Sequence, residues 1–180
     1  MNEMKVYRVE GLTTQDTLPY VAIGTKKPHP SYSNRTLIYL QVMSSTIATQ
    51  AAKSTFTEGR PGVLFQEDGK AAAYTPTAAD ALTYNRPMVV ALFTVSANKY
   101  AWFYCGPGYV PLAKHDKNQV TDGDRIVFKI GTASYNQINN IGIASFTGTT
   151  ARIQGWIDSN SATNKSATGD NNLKIFLYGF

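Results

Sequence analysis

Turn-forming residues recur about every ten residues along most of this chain, and the short apolar runs between them lack helical periodicity. The runs are rich in β-branched and aromatic residues and cover 37–43, 63–65, 71–74, 88–95, 100–105, 125–130, 141–146, 151–157 and 173–178. This spacing is typical of sandwiches, jelly rolls and barrels, whereas alternating helices and strands give a different pattern. We predict an all-β fold, a jelly-roll-like sandwich or barrel of about eight or nine strands.

Two runs, 88–95 and 100–105, are apolar almost throughout, which predicts strands buried on both faces at the centre of the core. An Asp68-Gly69 pair separates two other runs and favours the positive φ of a hairpin turn. The run 173–178 is apolar on both faces, which predicts either a central strand or an edge strand that pairs with something else.

The first 35 residues differ from the rest of the chain. Pro28 and Pro30 lie in the basic stretch 26–35 and impose extended or turn geometry. We therefore predict an extended N-terminal arm at 1–35 and one β domain at 36–180, consistent with the usual size of a single domain.

The surface composition favours a protein that functions in contact with neighbours. Charged residues make up only 16% of the 180 residues, against about 25% in an average domain, while tyrosine occurs 11 times. Hydroxyl and amide side chains are less costly to bury at an interface than charges. The net charge of +5 suits an acidic partner. Because the basic residues are scattered and no RNA-binding signature accompanies them, we expect no direct nucleic-acid partner.

The sequence predicts neither a membrane span nor secretion. No apolar run approaches the ~18 residues that a membrane span requires, and the first residues lack the apolar core of a signal peptide. The lone Cys105 fits a protein that folds in a reducing compartment. We therefore expect synthesis in the cytoplasm.

Catalytic and metal-binding motifs are not found in the sequence. His29 and His115 each lack a second His or Cys at ligand spacing, and a Cys105–His115 pair would span a turn-rich loop. The paired carboxylates at 67–68 and 122–124 lie in hairpin-type turns, where Asp and Gly serve the backbone. We predict no catalytic residues, no metal site and no cofactor.

Trp156 is a candidate interface residue because of the alternation in 151–157. Successive strand residues point to opposite faces, so Ile153 and Ile157 would face the core while Gln154 and Trp156 face outward. An outward tryptophan is typical of an interface. The other interpretation is that a neighbouring loop covers it.

A resemblance to a known family rests on several segments between residues 62 and 158. They are Gly62-Val63-Leu64-Phe65 with Asp68-Gly69-Lys70, the Ala- and Thr-rich stretch 71–79, Asp122-Gly123-Asp124-Arg125-Ile126-Val127, and 142–153. In style, about half the chain resembles the decoration, or cement, proteins of tailed-bacteriophage capsids. That resemblance implies a β-barrel or jelly-roll body, often trimeric, which docks on the outside of the capsid lattice and bridges major capsid subunits. It brings no catalytic residues.

The expected partners are therefore the major capsid protein and further copies of this chain, with the capsid surface of a virion as the location. The basic arm, with Lys26, Lys27 and Arg35, would lie over an acidic capsid face. Trp156 and the aromatic C-terminal Phe180 complete the set of candidate partner-binding residues. The alternative is a receptor- or carbohydrate-binding module of a tail or head fibre, in which exposed Trp and Tyr stack on sugar rings.

Overall fold

The computed structural model describes residues 12–43, 46–47, 50–51, 55–65, 70–72, 86–115, 123, 125–128, 138–141, 153–158 and 171–180. Within these ranges the regular structure is β-strand with mainly antiparallel pairing and no α-helix, which confirms the predicted all-β class. None of these residues belongs to a helix with the length and hydrophobicity needed to cross a membrane.

The described residues form fifteen strands, where the sequence predicts about eight or nine. They are β1 (Lys26–His29), β2 (Tyr32–Val42), β3 (Thr46–Ile47), β4 (Gln50–Ala51), β5 (Thr55–Phe56), β6 (Pro61–Phe65), β7 (Lys70–Ala72), β8 (Met88–Ala91), β9 (Val95–Ser96), β10 (Tyr100–Cys105), β11 (Gly108–His115), β12 (Arg125–Phe128), β13 (Ile138–Ile141), β14 (Gly155–Ile157) and β15 (Asn171–Leu177). Four of them have only two residues, too short for a periodic pattern to reveal.

The first half of the described chain forms a closed ring, which we call the first barrel. Its strand order is β2-β10-β8-β6-β7, and a short parallel pairing of Gln41 with Lys70 and Val42 with Ala71 joins β7 back to β2. The antiparallel pairing of β6 with β7 confirms the predicted hairpin, whose Asp68-Gly69 turn lies outside the described residues.

The second half forms a closed barrel of five strands in the order β11-β13-β12-β14-β15, which we call the second barrel. Here β15 pairs with β11 on one side and β14 on the other, so the C-terminal strand is central. The chain passes between barrels through Gly106 and Pro107. A Cβ atom at Gly106 would lie 1.6 Å from the main-chain oxygen of Tyr178, so only glycine fits at this crossing.

The described residues form three apolar clusters, which strand alternation separates. Inward-facing residues fill the first barrel, namely Ile38, Leu40, Val42, Phe56, Leu64, Val89, Ala91, Val95, Ala101, Phe103 and Cys105. The outward faces of β8 and β6 contribute Val63, Met88 and Val90 to a second cluster, which also contains the core of the second barrel. Strand β8 is therefore buried on both faces, as its sequence predicts.

A third cluster lies on the outside of β2 and β10, under residues 12–25. Leu12 packs there with Leu37, Tyr39 and Trp102. The Tyr39 hydroxyl donates to Asp16 at 2.8 Å, and the indole N–H of Trp102 donates to the hydroxyl of Tyr20.

The described part of the predicted arm lies against the first barrel. Residues 12–25 cover the outer face of β2 and β10, and 26–29 form β1 beside β2. The residues before 12 lie outside the described part of the chain.

The run 88–95 is not one strand, which corrects that part of the prediction. Strand β8 ends at Ala91, and Leu92 and Phe93 are half-buried in a bend. Val95 and Ser96 then pair with β5. The run is apolar almost throughout because its residues contribute to three clusters: Val89, Ala91 and Val95 to the interior of the first barrel, Met88 and Val90 to the second cluster, and Leu92 to the third. Periodicity does not distinguish this from a single buried strand.

Candidate functional site

Two predicted partner-binding residues from opposite ends of the chain meet at one edge of the first barrel. The Lys26 Nζ lies 3.7 Å from the centre of the Phe180 ring and donates a hydrogen bond of 3.1 Å to the main-chain oxygen of Phe180. The antiparallel pairing of Lys26 with Ile38 holds the lysine backbone in the sheet. The cation–π contact is of the kind that holds an amine over an aromatic face.

The other two cations of this region also lie over aromatic rings. The Lys27 Nζ is 3.9 Å from the Trp102 ring centre, and burial lowers the pKa of this amine. The Arg35 guanidinium carbon is 3.6 Å from the Tyr32 ring centre. The buried Nε of Arg35 has no hydrogen-bond partner in the part of the chain that the structure describes.

His29 lies among these cations. Its Nδ1 accepts a hydrogen bond from the Ser31 main-chain N–H at 3.1 Å, and its ring lies nearly parallel to the Tyr104 ring, with centres 6.5 Å apart. Burial, followed by the positive charges of Arg35 and Lys27, lowers the pKa of His29. Lys26 lies opposite the inward-facing Ile38 and Lys27 opposite the outward-facing Leu37, so the two lysines point to opposite sides of β1. We call this edge of the first barrel, formed by Lys26, Lys27, His29, Tyr32, Arg35, Tyr104 and Phe180, the cationic face.

Trp156 belongs to a different surface, on the outside of the second barrel. It lies directly opposite Phe176 of β15, which lies opposite Tyr109 of β11. On its other side Trp156 lies opposite the exposed Arg125 of β12. We call the line Tyr109–Phe176–Trp156–Arg125 the aromatic row. It crosses four neighbouring strands.

The rings of the aromatic row contact each other. Trp156 and Phe176 are stacked with centres 4.2 Å apart and planes 18° from parallel, and Tyr109 meets Phe176 edge-on at 5.0 Å. Tyr178, two residues beyond Phe176, lies 5.3 Å from Trp156 and is 44% exposed. The three rings of the row itself are half-buried.

A polar pair borders the aromatic row. Lys174 Nζ lies 2.8 Å from an Asp158 carboxylate oxygen and 4.5 Å from the Tyr109 ring centre. The hydrogen bond to Asp158 raises the pKa of Lys174, while the positive charge of Arg35 acts in the opposite direction. A Cβ atom at Gly108, the residue before Tyr109, would lie 3.3 Å from the Cα of Arg35, so the cationic face and the aromatic row adjoin.

The segment before Trp156 departs from the predicted alternation. Ile153 is 36% exposed, whereas Gln154 is buried at 4% exposure, so the prediction that Ile153 faces the core and Gln154 faces outward is wrong. Strand β14 begins only at Gly155, because the Gln154 side chain turns inward and accepts a hydrogen bond from the Met88 main-chain N–H of the first barrel. Trp156 does face away from the core, though it is half-buried against Phe176.

The residues considered for catalysis do not form a described site. Burial raises the pKa of the Cys105 thiol to about 12, so the thiol is protonated at neutral pH and a poor nucleophile. The side chain of His115 and the carboxylates at 67–68, 122 and 124 lie outside the described residues. Among the residues that the structure places, no three His, Cys, Asp or Glu side chains cluster as metal ligands would.

The sequence predicts four members of the cationic face singly, Lys26, Lys27, Arg35 and Phe180, and only Trp156 of the aromatic row. Tyr109, Phe176 and Arg125 lie far apart in the chain, and only the strand register brings them beside Trp156. The available signal was the outward apolar side of the run 173–178. The chain matches no protein-family model, no curated protein and no solved structure.

Proposed function

We propose that this protein is a structural virion protein that binds the outside of a viral capsid lattice and stabilises it by bridging neighbouring major capsid subunits. The two closed strand rings serve as the jelly-roll-like body of such a protein. Its partners are the major capsid protein and further copies of the chain, with a trimer as the proposed assembly.

The observation that carries the proposal is the cationic face. The sequence predicts Lys26, Lys27, Arg35 and Phe180 as separate partner-binding residues. Lys26 contacts Phe180 on one side of the edge strand β1, Lys27 contacts Trp102 on the other, and Arg35 lies over Tyr32 in the neighbouring β2. Strand pairing of β1 with β2 holds the backbone of Lys26 and Lys27 in place, so these two residues lose little conformational entropy on binding.

Such a surface suits attachment to a lattice. Positively charged groups beside aromatic rings complement an acidic protein surface, and aromatic and Arg side chains are enriched at interfaces. A decoration protein needs only modest contacts at each site, because many copies bind with the symmetry of the lattice.

Charge-removing substitutions at the cationic face test the proposal. A variant with Lys26→Gln, Lys27→Gln and Arg35→Gln should occupy fewer sites on particles of the source virus than the natural protein, with the difference largest at low salt. Occupancy is measured by cosedimentation with particles that lack the protein.

The matched control is Lys99→Gln, which also removes one positive charge but lies where the lysine contacts Thr17 instead. It should bind like the natural protein, and Lys26→Gln alone should bind less well. Equal occupancy for the triple variant and the natural protein, with both folded by circular dichroism, contradicts the proposed attachment.

The alternative function, a receptor- or carbohydrate-binding module, is supported by a different observation. The aromatic row places three rings on the outer side of a rigid barrel, next to an ion pair. Rings with such polar neighbours are the usual elements of a site for a small polar ligand.

A further inference from the structure

The aromatic row is unusual in where it places its apolar surface. Phe176 and Trp156 alternate with the fully buried Ile175, Leu177 and Ile157, so their side chains point away from the barrel core. Tyr178 extends the apolar area and is 44% exposed. A contiguous outward aromatic patch with a polar border is a mark of a binding surface.

The ion pair beside the row supplies both kinds of hydrogen-bonding group. Lys174, with a side chain 52% exposed, donates, and the Asp158 carboxylate accepts. Each sugar hydroxyl is at once a donor and an acceptor, so neighbouring hydroxyls fit a Lys–carboxylate pair. The aromatic rings alongside suit the apolar C–H face of a pyranose ring.

The charges around the row select the kind of saccharide. Arg125 lies beyond Trp156 at one end, and Lys174 lies over Tyr109 near the other end. The main chain of Arg35 lies beside Gly108, next to the Tyr109 end of the row. These three positive charges compare with one negative charge beside the row among the described residues, the carboxylate of Asp158. This balance favours a ligand with negative charges.

We propose that the aromatic row binds an acidic oligosaccharide, with its sugar rings against Trp156, Phe176 and Tyr178 and its carboxylates toward Arg125 and Lys174. This inference rests on the alternative function, a carbohydrate-binding module, whose ligand class it names, and it does not depend on capsid attachment. The cationic face binds the lattice in the proposed function, whereas the aromatic row lies on the second barrel.

The same geometry disfavours single-stranded nucleic acid, the other polymer that combines negative charge with flat rings. Binding platforms for single strands stack successive bases between or on open aromatic faces. Trp156 and Phe176 are already stacked 4.2 Å apart, which leaves no room for a base between them.

Titration calorimetry with three acidic probes, oligosialic acid, oligogalacturonate and a hyaluronan fragment, tests the proposal on the full chain. At least one should bind, roughly tenfold more tightly than a neutral maltooligosaccharide of matched length. An oligothymidylate of similar charge should bind more weakly than the best acidic sugar. Failure of all three acidic sugars to bind, or stronger binding of the oligothymidylate, overturns the proposal.

Variants locate the binding surface. Trp156→Ala should weaken acidic-sugar binding roughly tenfold, the loss of one ring contact. Tyr178→Ala removes an exposed ring that follows β15 and should weaken binding without unfolding the barrel. Tyr20→Ala is the matched control, since its ring is 53% exposed on the first barrel.

Arg125→Gln separates the charge contribution from ring stacking. It should weaken binding of the acidic sugar and leave that of the neutral sugar unchanged. Equal weakening by Tyr20→Ala and Tyr178→Ala, or no effect of either Trp156→Ala or Tyr178→Ala, overturns the placement. Because these assays use sugars alone, their failure leaves the capsid-binding experiment unaffected.

Discussion

Gln154 connects the two barrels through its side chain. Its Oε1 accepts a hydrogen bond from the Met88 main-chain N–H, and its Nε2 donates to the Arg86 main-chain oxygen, each at 3.0 Å. Its own main-chain N–H donates to Ile126, and its main-chain oxygen accepts from Tyr178. A buried amide with this many partners fixes how the barrels meet.

Truncating Gln154 should therefore destabilise the protein. Gln154→Ala leaves the buried Met88 N–H without its acceptor, which costs about 2 kcal/mol in the free energy of unfolding. Urea denaturation followed by circular dichroism measures this change. The comparison variant is Gln41→Ala on β2, a half-buried position, which should cost less than about 1 kcal/mol. Equal costs for both variants would show that the inter-barrel hydrogen bonds contribute little.

His29 should make stability depend on pH. Its pKa in the folded protein is below the ordinary value of about 6.5, through burial and then the charges of Arg35 and Lys27. The unfolded chain therefore binds more protons in this range, so stability rises with pH. The full stability is present above about pH 6.5 and declines as the pH falls toward the lower folded pKa.

The measurement is the urea midpoint over this pH range for the natural protein and for His29→Gln. Subtracting the two curves removes the contribution of other titrating groups. Separately, the NMR signals of the His29 ring protons, followed against pH, give the pKa of His29 in the folded protein. If His29 titrates at or above its ordinary pKa, its pKa is not lowered in the folded protein. If the urea midpoints of the two proteins depend on pH in the same way, His29 does not contribute to the pH dependence of stability.

At the scale of strands, the sequence predicts well where local pattern and pairing agree. The run 100–105 is β10, and the runs on either side of Asp68-Gly69 overlap the paired strands β6 and β7. The run 173–178 matches β15 closely. In each case turn residues flank a short β-branched or aromatic segment, so the signal for the strand lies in residues that are close together in the sequence.

The errors occur where a distant contact overrides the local pattern. Gln154 turns inward because Met88 and Arg86 offer buried partners, which no alternation in 151–157 encodes. Likewise β1 forms despite Pro28, because it lies at the edge of its sheet and pairs with β2 alone. The aromatic row was unpredictable for the same reason, since the register across four strands creates it.

At the scale of the molecule, the two barrels share one apolar core. Val63, Met88 and Val90 of the first barrel pack in the same cluster as the interior of the second, formed by Val110, Ala113, Ile126, Ile157, Ile175 and Leu177. Separating the barrels would expose this apolar surface to water, which costs a free energy of about 25 cal/mol for each Å² exposed. Gln154 adds directional hydrogen bonds across the same junction.

The barrels should therefore unfold together in one transition. The two tryptophans report on each barrel separately, because Trp102 lies in β10 of the first and Trp156 in β14 of the second. In each single-tryptophan variant, Trp102→Phe and Trp156→Phe, the urea transition seen by fluorescence should coincide with that seen by far-ultraviolet circular dichroism. Comparing two probes within one variant cancels the effect of the substitution on stability. If the remaining tryptophan of one barrel changes at a lower urea concentration than the circular dichroism signal, that barrel unfolds by itself and the shared core does not couple them.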